Sequence, residues 1–583
     1  TNTTTNNNTA VGYDALYTNA ASNNTAVGRD SSKANTTGTL LASVGAYSLT
    51  ANTTGIRNTA IGYESMSANT TGSHNTAVGT YALANPSTGN ESTAVGYYAC
   101  KSATTGMRNV GVGVSALTNA TTGSSNTAVG GFAGKAITTG GDNVAVGYDA
   151  LITATTASNN TAIGRDALKA NTTGTGQVAV GHKALQANTT GTINTAVGQN
   201  ALYSNTTGQA NVGLGRNTLY TNSTGDYNVA IGYDALVYST VDHLVAVGHQ
   251  ALMKNTTGTS NTAIGKRSLE ENTTGNSNTA IGYATLIANT TGAQNTAVGT
   301  NSLQSATTAD GNVAVGRDTL VYTTTGANNT AVGTNALDAN TTASNNTAIG
   351  YDALGANTTA IYNQAVGAYA LSSTTVGGRN NAFGYKALED NTTGQYNTAI
   401  GNEALEANTT ADNNTACGFE ALTANTTGVA NVAVGSGALD SNTTASDNVA
   451  VGYMALNTNS TGEWNVAVGR RALNSSTSNY NTGVGDRALY SLSTGTTNTV
   501  VGHMGGYGVT TGSNNLLLGH DAGNADSPAG NITTGSNIVC LGDDDIANLY
   551  CADTSISSSD ARDKTDVEDF KYGLSWITEL RPV

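Results

Sequence analysis

The chain of 583 residues has few of the side chains that fill or coat ordinary globular domains. Only 10% of its residues are charged and 5% are aromatic, and it contains 4 Phe, 2 Trp, 5 Met and 3 Pro. A typical soluble domain carries about 25% charged residues. Length alone suggests about four domains, yet so few large apolar side chains cannot fill four separate cores.

Other absences exclude whole classes of partner. The 23 Lys and Arg and 38 Asp and Glu give a net charge of −15, with no basic cluster. This charge argues against a nucleic-acid or anionic-membrane partner. No run of about 18 apolar residues is present, so no segment is expected to cross a membrane. The 6 His lack ligand spacing, so no metal or cofactor is expected.

What the chain does contain is a strict internal repeat. A step of a small residue, then Val or Ile, then Gly, with other apolar residues substituted in a few copies, recurs 31 times, from Ala10-Val11-Gly12 to Leu517-Leu518-Gly519. Of the thirty intervals between these steps, twenty-seven span seventeen positions and the other three span sixteen. Gly follows the central residue in every copy, and Leu stands five positions after it in 25 copies. Disordered low-complexity chains do not usually keep such a register.

The typical unit, residues 278–294, reads NTAIGYATLIANTTGAQ. Thr-Ala-Ile predicts a short strand, and the invariant Gly implies either positive φ or a close backbone approach. Asn-Thr-Thr-Gly predicts a turn in which Asn bonds to nearby backbone and Gly supplies positive φ; a glycosylation sequon is the alternative. A unit of this length is too short for a helix pair but suits one coil of a β-solenoid.

A single coil is not expected to be stable alone. The few side chains that it buries do not offset the entropy lost on ordering its backbone. The small residue before each Leu suggests close approach of another chain, so we expect three chains wound together. Thirty-one coils spaced by about 4.8 Å would form a shaft of about 150 Å. The one-residue deletions are expected to lie in turns.

The recurring step, as in Asn-Thr-Ala-Val-Gly at 75–79, resembles the left-handed parallel β-roll of YadA-like trimeric autotransporter heads. The repeat unit is longer here than in that family, which leaves the coil shape open. The resemblance implies an adhesive, trimeric surface fibre.

The C-terminal residues carry different motifs. Ser559-Asp560-x-Arg562-x-Lys564, followed by Gly-Leu-x-x-Ile-x-x-Leu-Arg-Pro-Val at 573–583, resembles the start of the intramolecular-chaperone auto-processing domain of phage tail spikes and fibres. The resemblance implies a domain that assists trimer folding and then cleaves itself off. Carried over, Ser559 is the nucleophile, Lys564 is its base, and the bond cut is Ser558–Ser559. No other catalytic activity is expected.

The predicted fold class is all-β: a parallel β-solenoid of 17-residue repeats in a homotrimeric fibre, with a short helical segment at the C-terminus. Leu574, Ile577 and Leu580 have helical spacing, and Pro582 ends the run. The predicted domains are a shaft at 1–519, an irregular region at 520–558 and the start of the chaperone domain at 559–583.

Several side chains have two interpretations. Tyr residues after the invariant Gly either pack between coils or stack on sugars, and the Thr pairs suggest ice binding only weakly because they adjoin turn glycines.

Cys100 and Cys417 are expected in the core, whereas Cys540 and Cys551 lie outside the register, where a disulfide or an interchain contact is an alternative. Asp543–Asp545 is either a solvated turn or a cation site. The irregular segment 503–550 is the expected receptor contact.

The sequence therefore predicts a structural fibre, most simply a phage tail-fibre shaft of the virion that attaches to a host-surface receptor, glycans included. The alternative is a bacterial surface adhesin or extracellular filament built on the same repeat. A third hypothesis is a polysaccharide depolymerase, which needs a carboxylate cluster across coils. The repeats show no paired carboxylates, catalytic triad or phosphate loop.

Overall fold

The computed structural model describes residues 6–548 and 550, and nearly every coil in this range contributes one three-residue strand to a single sheet. The sheet has 32 strands, and each strand pairs in parallel with the next one along the chain, in register. No helix occurs in these residues. The predicted parallel β-solenoid of 17-residue repeats is confirmed. In chain order, the strands β1 to β32 are Thr9–Val11, Thr25–Val27, Ala42–Val44, Thr59–Ile61, Thr76–Val78, Thr93–Val95, Val110–Val112, Thr127–Val129, Val144–Val146, Thr161–Ile163, Val178–Val180, Thr195–Val197, Val212–Leu214, Val229–Ile231, Val245–Val247, Thr262–Ile264, Thr279–Ile281, Thr296–Val298, Val313–Val315, Thr330–Val332, Thr347–Ile349, Gln364–Val366, Asn381–Phe383, Thr398–Ile400, Thr415–Cys417, Val432–Val434, Val449–Val451, Val466–Val468, Thr482–Val484, Thr499–Val501, Leu516–Leu518 and Val539–Leu541.

The rest of each coil lies outside the strands, but its backbone is hydrogen-bonded to the coils on both sides. In the coil that begins at Asn278, the Ala284 N–H donates to Lys266 O of the preceding coil at 3.0 Å. The Leu286 N–H donates to Ser302 O of the following coil, also at 3.0 Å. Ala284 and Leu286 have φ of 53° and 49°, and such left-handed residues recur from coil to coil. The backbone polar groups are therefore satisfied by the stack rather than by one coil.

The core is a narrow column of small residues and Leu inside one chain. Ala280, at the middle of its strand, and Leu286 are both fully buried. The small residues before Leu, such as Ala82 and Ala99, are also fully buried within this chain. The expectation that these small positions admit another chain is therefore wrong, because they pack beneath their own Leu column.

Two columns of buried Asn run through the stack. The Asn278 amide donates to Gly292 O at 2.8 Å, and its Oδ1 accepts from the Asn295 N–H at 3.0 Å. The Asn289 amide donates to Gly292 O at 3.0 Å, which closes the turn from within. The predicted Asn turn is confirmed. Asn289 is fully buried, so its amide is not accessible to glycosylation in the folded stack.

The two glycines of a coil serve different needs. Gly282 follows the strand with φ of 140°, and a Cβ there would lie 2.5 Å from Gly299 O of the next coil. Both reasons for an invariant glycine therefore hold. The turn glycine, Gly292, does not have positive φ, so that expectation is wrong; a Cβ would instead meet Ala309 O and Asn289 Oδ1. The left-handed residue near this turn is Gln294, with φ of 59°.

Changes in repeat length are confined to turns, as predicted. In a full coil the Asn222 amide reaches Gly225 O, three residues on, at 3.0 Å. In the shorter coil that starts at Gly12, the Asn19 amide reaches Ala21 O, two residues on, at 2.8 Å. The strands on either side stay in register. One missing turn residue therefore leaves the stacking unchanged.

The longer interval between Leu518 and Leu541 is accommodated in the same way. Strand β32 pairs in register with β31, with Leu516 opposite Val539. The Ile532 N–H donates to Gly523 O at 2.9 Å, so the extra residues form a local loop at 524–531. The stack of coils therefore continues to Leu541.

Candidate binding surfaces

The outer face of the sheet carries a continuous row of half-exposed Val and Ile, the third residues of the strands. Ile281 is 37% exposed and Ile400 is 45% exposed, whereas the Ala between each pair of outward residues is buried. The first strand residue, usually Thr or Val, points outward beside this row. We call the third-position residues the Val/Ile row. Large exposed apolar patches mark interaction surfaces.

The cysteines occupy different positions of their coils. Cys100 replaces the core Leu and is fully buried, as predicted, and burial raises the pKa of its thiol to about 12. Cys417 belongs to the Val/Ile row and is partly exposed, so the prediction that it fills the core is wrong. Cys540 is a buried free thiol, and Cys551 lies outside the described residues.

The Tyr residues one or two positions after the invariant glycines form ladders across coils. The ring centroids of Tyr47 and Tyr63 are 5.9 Å apart, those of Tyr63 and Tyr81 are 5.6 Å apart, and those of Tyr81 and Tyr98 are 5.2 Å apart. The Lys101 ammonium lies 4.3 Å from the Tyr98 ring centre. The cross-coil packing interpretation is confirmed, and such pairs stabilise the stack. Sugar stacking on these rings stays a prediction.

The Thr pairs of the turns are partly used by the stack itself. The Thr290 hydroxyl donates to Thr307 O of the next coil at 3.0 Å, and the same bond recurs along the chain. The second Thr, such as Thr291, is exposed. The first hydroxyl of each such pair is therefore held in a coil-to-coil hydrogen bond.

A groove of about 400 Å³ opens on the surface of four coils, between Asn200 and Met253. Its lining includes Asn217, Asp234 and Tyr238. The repeat pattern alone does not indicate this groove. The available signal was Tyr238, which stands two positions after a core Leu where most coils carry Ala, Ser or Thr.

The segment 503–550 contains a histidine and carboxylate cluster. His520 Nδ1 is 2.9 Å from Asp543 Oδ2 and 3.3 Å from Asp521 Oδ2. The hydrogen bond to Asp543 raises the pKa of His520, with smaller contributions from Asp521 and Asp545, and it lowers the pKa of Asp543. The His503 ring stacks on His520 at 5.2 Å. Asp543, which belongs to the acidic stretch 543–545, is therefore paired with His520.

The predicted self-cleavage residues, Ser558, Ser559 and Lys564, lie outside the described residues, as does the predicted helix around Ile577. Within the described range no group of three or more His, Cys, Asp or Glu could hold a metal ion. The same range contains no helix long and apolar enough to cross a membrane.

These observations define the class of the protein as a long parallel β-solenoid formed by a single chain. No known family model, no curated protein and no solved structure matches it.

Proposed function

We propose that the chain is the shaft of a homotrimeric fibre, that of a phage tail fibre on the virion, which attaches to a receptor on the host surface. The observation that carries the proposal is the Val/Ile row, which runs along a stack of about 150 Å at about 4.8 Å per coil. A partner with the same length and period can cover the row completely. Other copies of this chain meet that requirement.

The trimer is tested by solution scattering together with sedimentation. The expected result is a thin rod with three times the mass of one chain. The test variant places Lys at six consecutive positions of the Val/Ile row, from Ile264 to Ile349, and is expected to lower the mass. The matched control places Lys at the six exposed second turn Thr from Thr257 to Thr342.

Retention of the trimer by the test variant would exclude the Val/Ile row as the interface. A compact monomer of the parent chain would refute the fibre itself. The same shaft also supports a bacterial surface adhesin or extracellular filament, because the small–Val–Gly step resembles that of YadA-like heads. A membrane-anchoring domain encoded in the same gene would favour this second function.

Maturation by self-cleavage belongs to the same proposal and rests on the resemblance at 559–583. The protein expressed from its complete gene is compared with its Ser559→Ala variant on denaturing gels. The parent is expected to yield a shorter shaft ending at Ser558, and the variant is expected to stay intact. Lys564→Ala should also abolish cleavage, because the serine then lacks its base. Products of equal size from the parent and both variants would contradict self-cleavage.

A further inference from the structure

The groove between Asn200 and Met253 has a polar floor. The Asn200 amide donates to Asn217 Oδ1 at 3.1 Å, and the Asn217 amide donates to Asp234 Oδ1 at 2.9 Å. Among the residues that the structure describes, Asp234 has no salt-bridge partner. Its carboxylate is therefore held in place by one amide and retains lone pairs for further donors.

Two tyrosines, together with Val237 and Met253, form the apolar part of the groove. Tyr220 stacks on Tyr203 with ring centroids 5.0 Å apart and planes 7° apart, which fixes its orientation. Tyr238 is 52% exposed and lines the groove with Tyr220. The groove thus combines one oriented and one exposed aromatic ring with an amide and carboxylate ladder, and ligand sites commonly pair apolar walls with a few placed polar groups.

A related arrangement recurs further along the shaft. Asp318-Thr-Leu-Val-Tyr322 repeats the pattern of Asp234-Ala-Leu-Val-Tyr238. The Asn301 amide donates to Asp318 Oδ1 at 2.9 Å, and Tyr322 is 59% exposed. Gln304 stands there where the groove has Tyr220, so the second arrangement lacks one aromatic wall. It provides a matched comparison within the same chain.

We infer that the groove binds a neutral hexopyranose unit of a surface polysaccharide. The apolar C–H face of a pyranose packs on a tyrosine ring, and neighbouring hydroxyls donate to Asp234 and exchange hydrogen bonds with the Asn217 and Asn200 amides. The lining contains one carboxylate and one guanidinium, that of Arg216, which lies 5.6 Å from the Tyr233 ring centre. These charges balance, which favours an uncharged sugar. The inference rests on the proposed attachment function for the source of the sugar.

Binding is tested by titrating the intact chain with neutral oligosaccharides of glucose, of galactose and of mannose, followed by calorimetry. One of the three is expected to bind saturably. Tyr238→Ala and Asp234→Asn should each weaken binding by about tenfold. Tyr238→Phe keeps the ring and should bind like the parent. Tyr322→Ala, the matched control, should leave the affinity of the groove within about twofold, since that site is separate from the groove.

Solution scattering of each variant verifies that the rod is intact. Absence of saturable binding by all three neutral sugars would overturn the inference, as would equal affinity of the parent and Tyr238→Ala. Binding of acidic oligosaccharides alone would overturn the neutral assignment. A failure of sugar binding by an intact trimeric rod refutes only the groove, whereas a compact monomer refutes the fibre whether or not sugar binds.

Discussion

The two glycines of one coil provide a sharp test of how the stack is held together. Gly282 has φ of 140°, in a region that is essentially restricted to glycine, and a Cβ would lie 2.5 Å from Gly299 O. A side chain in such a conformation costs about 1–3 kcal/mol. Its collision also displaces the Gly299 N–H from Ile281 O, to which it donates at 2.8 Å; loss of that bond costs about 0.5–1.5 kcal/mol.

Gly282→Ala is therefore expected to lower the local free energy of opening by about 1.5–4.5 kcal/mol. Amides of the coils around Gly282 and Gly299 should then exchange with deuterium roughly tenfold to a thousandfold faster, as measured by mass spectrometry of peptides from these coils. Distant coils should keep their protection, because each coil contacts only its neighbours.

The matched control is Gly292→Ala in the same coil. The turn glycine lacks positive φ, and six full-length coils already carry alanine at this position, including the consecutive Ala343 and Ala360. A Cβ at Gly292 is as crowded as one at Gly282 but its backbone is unstrained, so a smaller acceleration of exchange than that of Gly282→Ala is expected. Equal acceleration by both substitutions would refute the argument that backbone conformation, rather than crowding alone, makes the first glycine invariant.

Three further outcomes are expected. Iodoacetamide should modify the partly exposed Cys417 in the folded chain and Cys100 only after unfolding, because Cys100 is buried and its pKa is raised to about 12; equal rates in peptide maps would contradict this. The His520 pKa should lie above 6.5 and fall in Asp543→Asn. The pair therefore stabilises the fold fully between pH 3.8 and 6.5, loses its effect as the pH rises through the raised His520 pKa, and loses it again as the pH falls through the lowered Asp543 pKa; an unchanged NMR titration of His520 in Asp543→Asn would contradict this. Asn278→Ala should leave the buried Asn295 N–H unpaired, while Gly292 O keeps its bond from Asn289, and should speed local exchange roughly tenfold; an unchanged rate would show that this N–H finds another partner.

Much of the architecture could be predicted because each coil repeats the same pattern of residue types. The period, the short strands and the placement of deletions in turns all follow from the spacing of Gly and Asn. The sequence did not determine which residues of each strand face the core. In Thr-Ala-Ile either Ala or its two neighbours can face inward, and the expectation for Cys417 placed the bulkier pair inside. Leu286 and its equivalents already fill the narrow interior, so only Ala fits beside them.

The left-handed residues could not be predicted from residue type. Leu286 is an unusual residue for φ of 49°, and it adopts this conformation because its N–H must reach the following coil.

The candidate sites could likewise be predicted only in part from the sequence. Tyr ladders follow from residues one coil apart, whereas the groove depends on side chains of four coils and on the single bulky Tyr238.

The alternation of hydrogen bonds between preceding and following coils has a mechanical consequence. A pull on the two ends of the chain acts across contacts between neighbouring coils, which can separate one at a time. Each released coil adds about 50 Å of extended chain. Under tension the rod would therefore lengthen in nearly equal steps and dissipate energy at each one, while the coils still stacked keep their structure and their surface features.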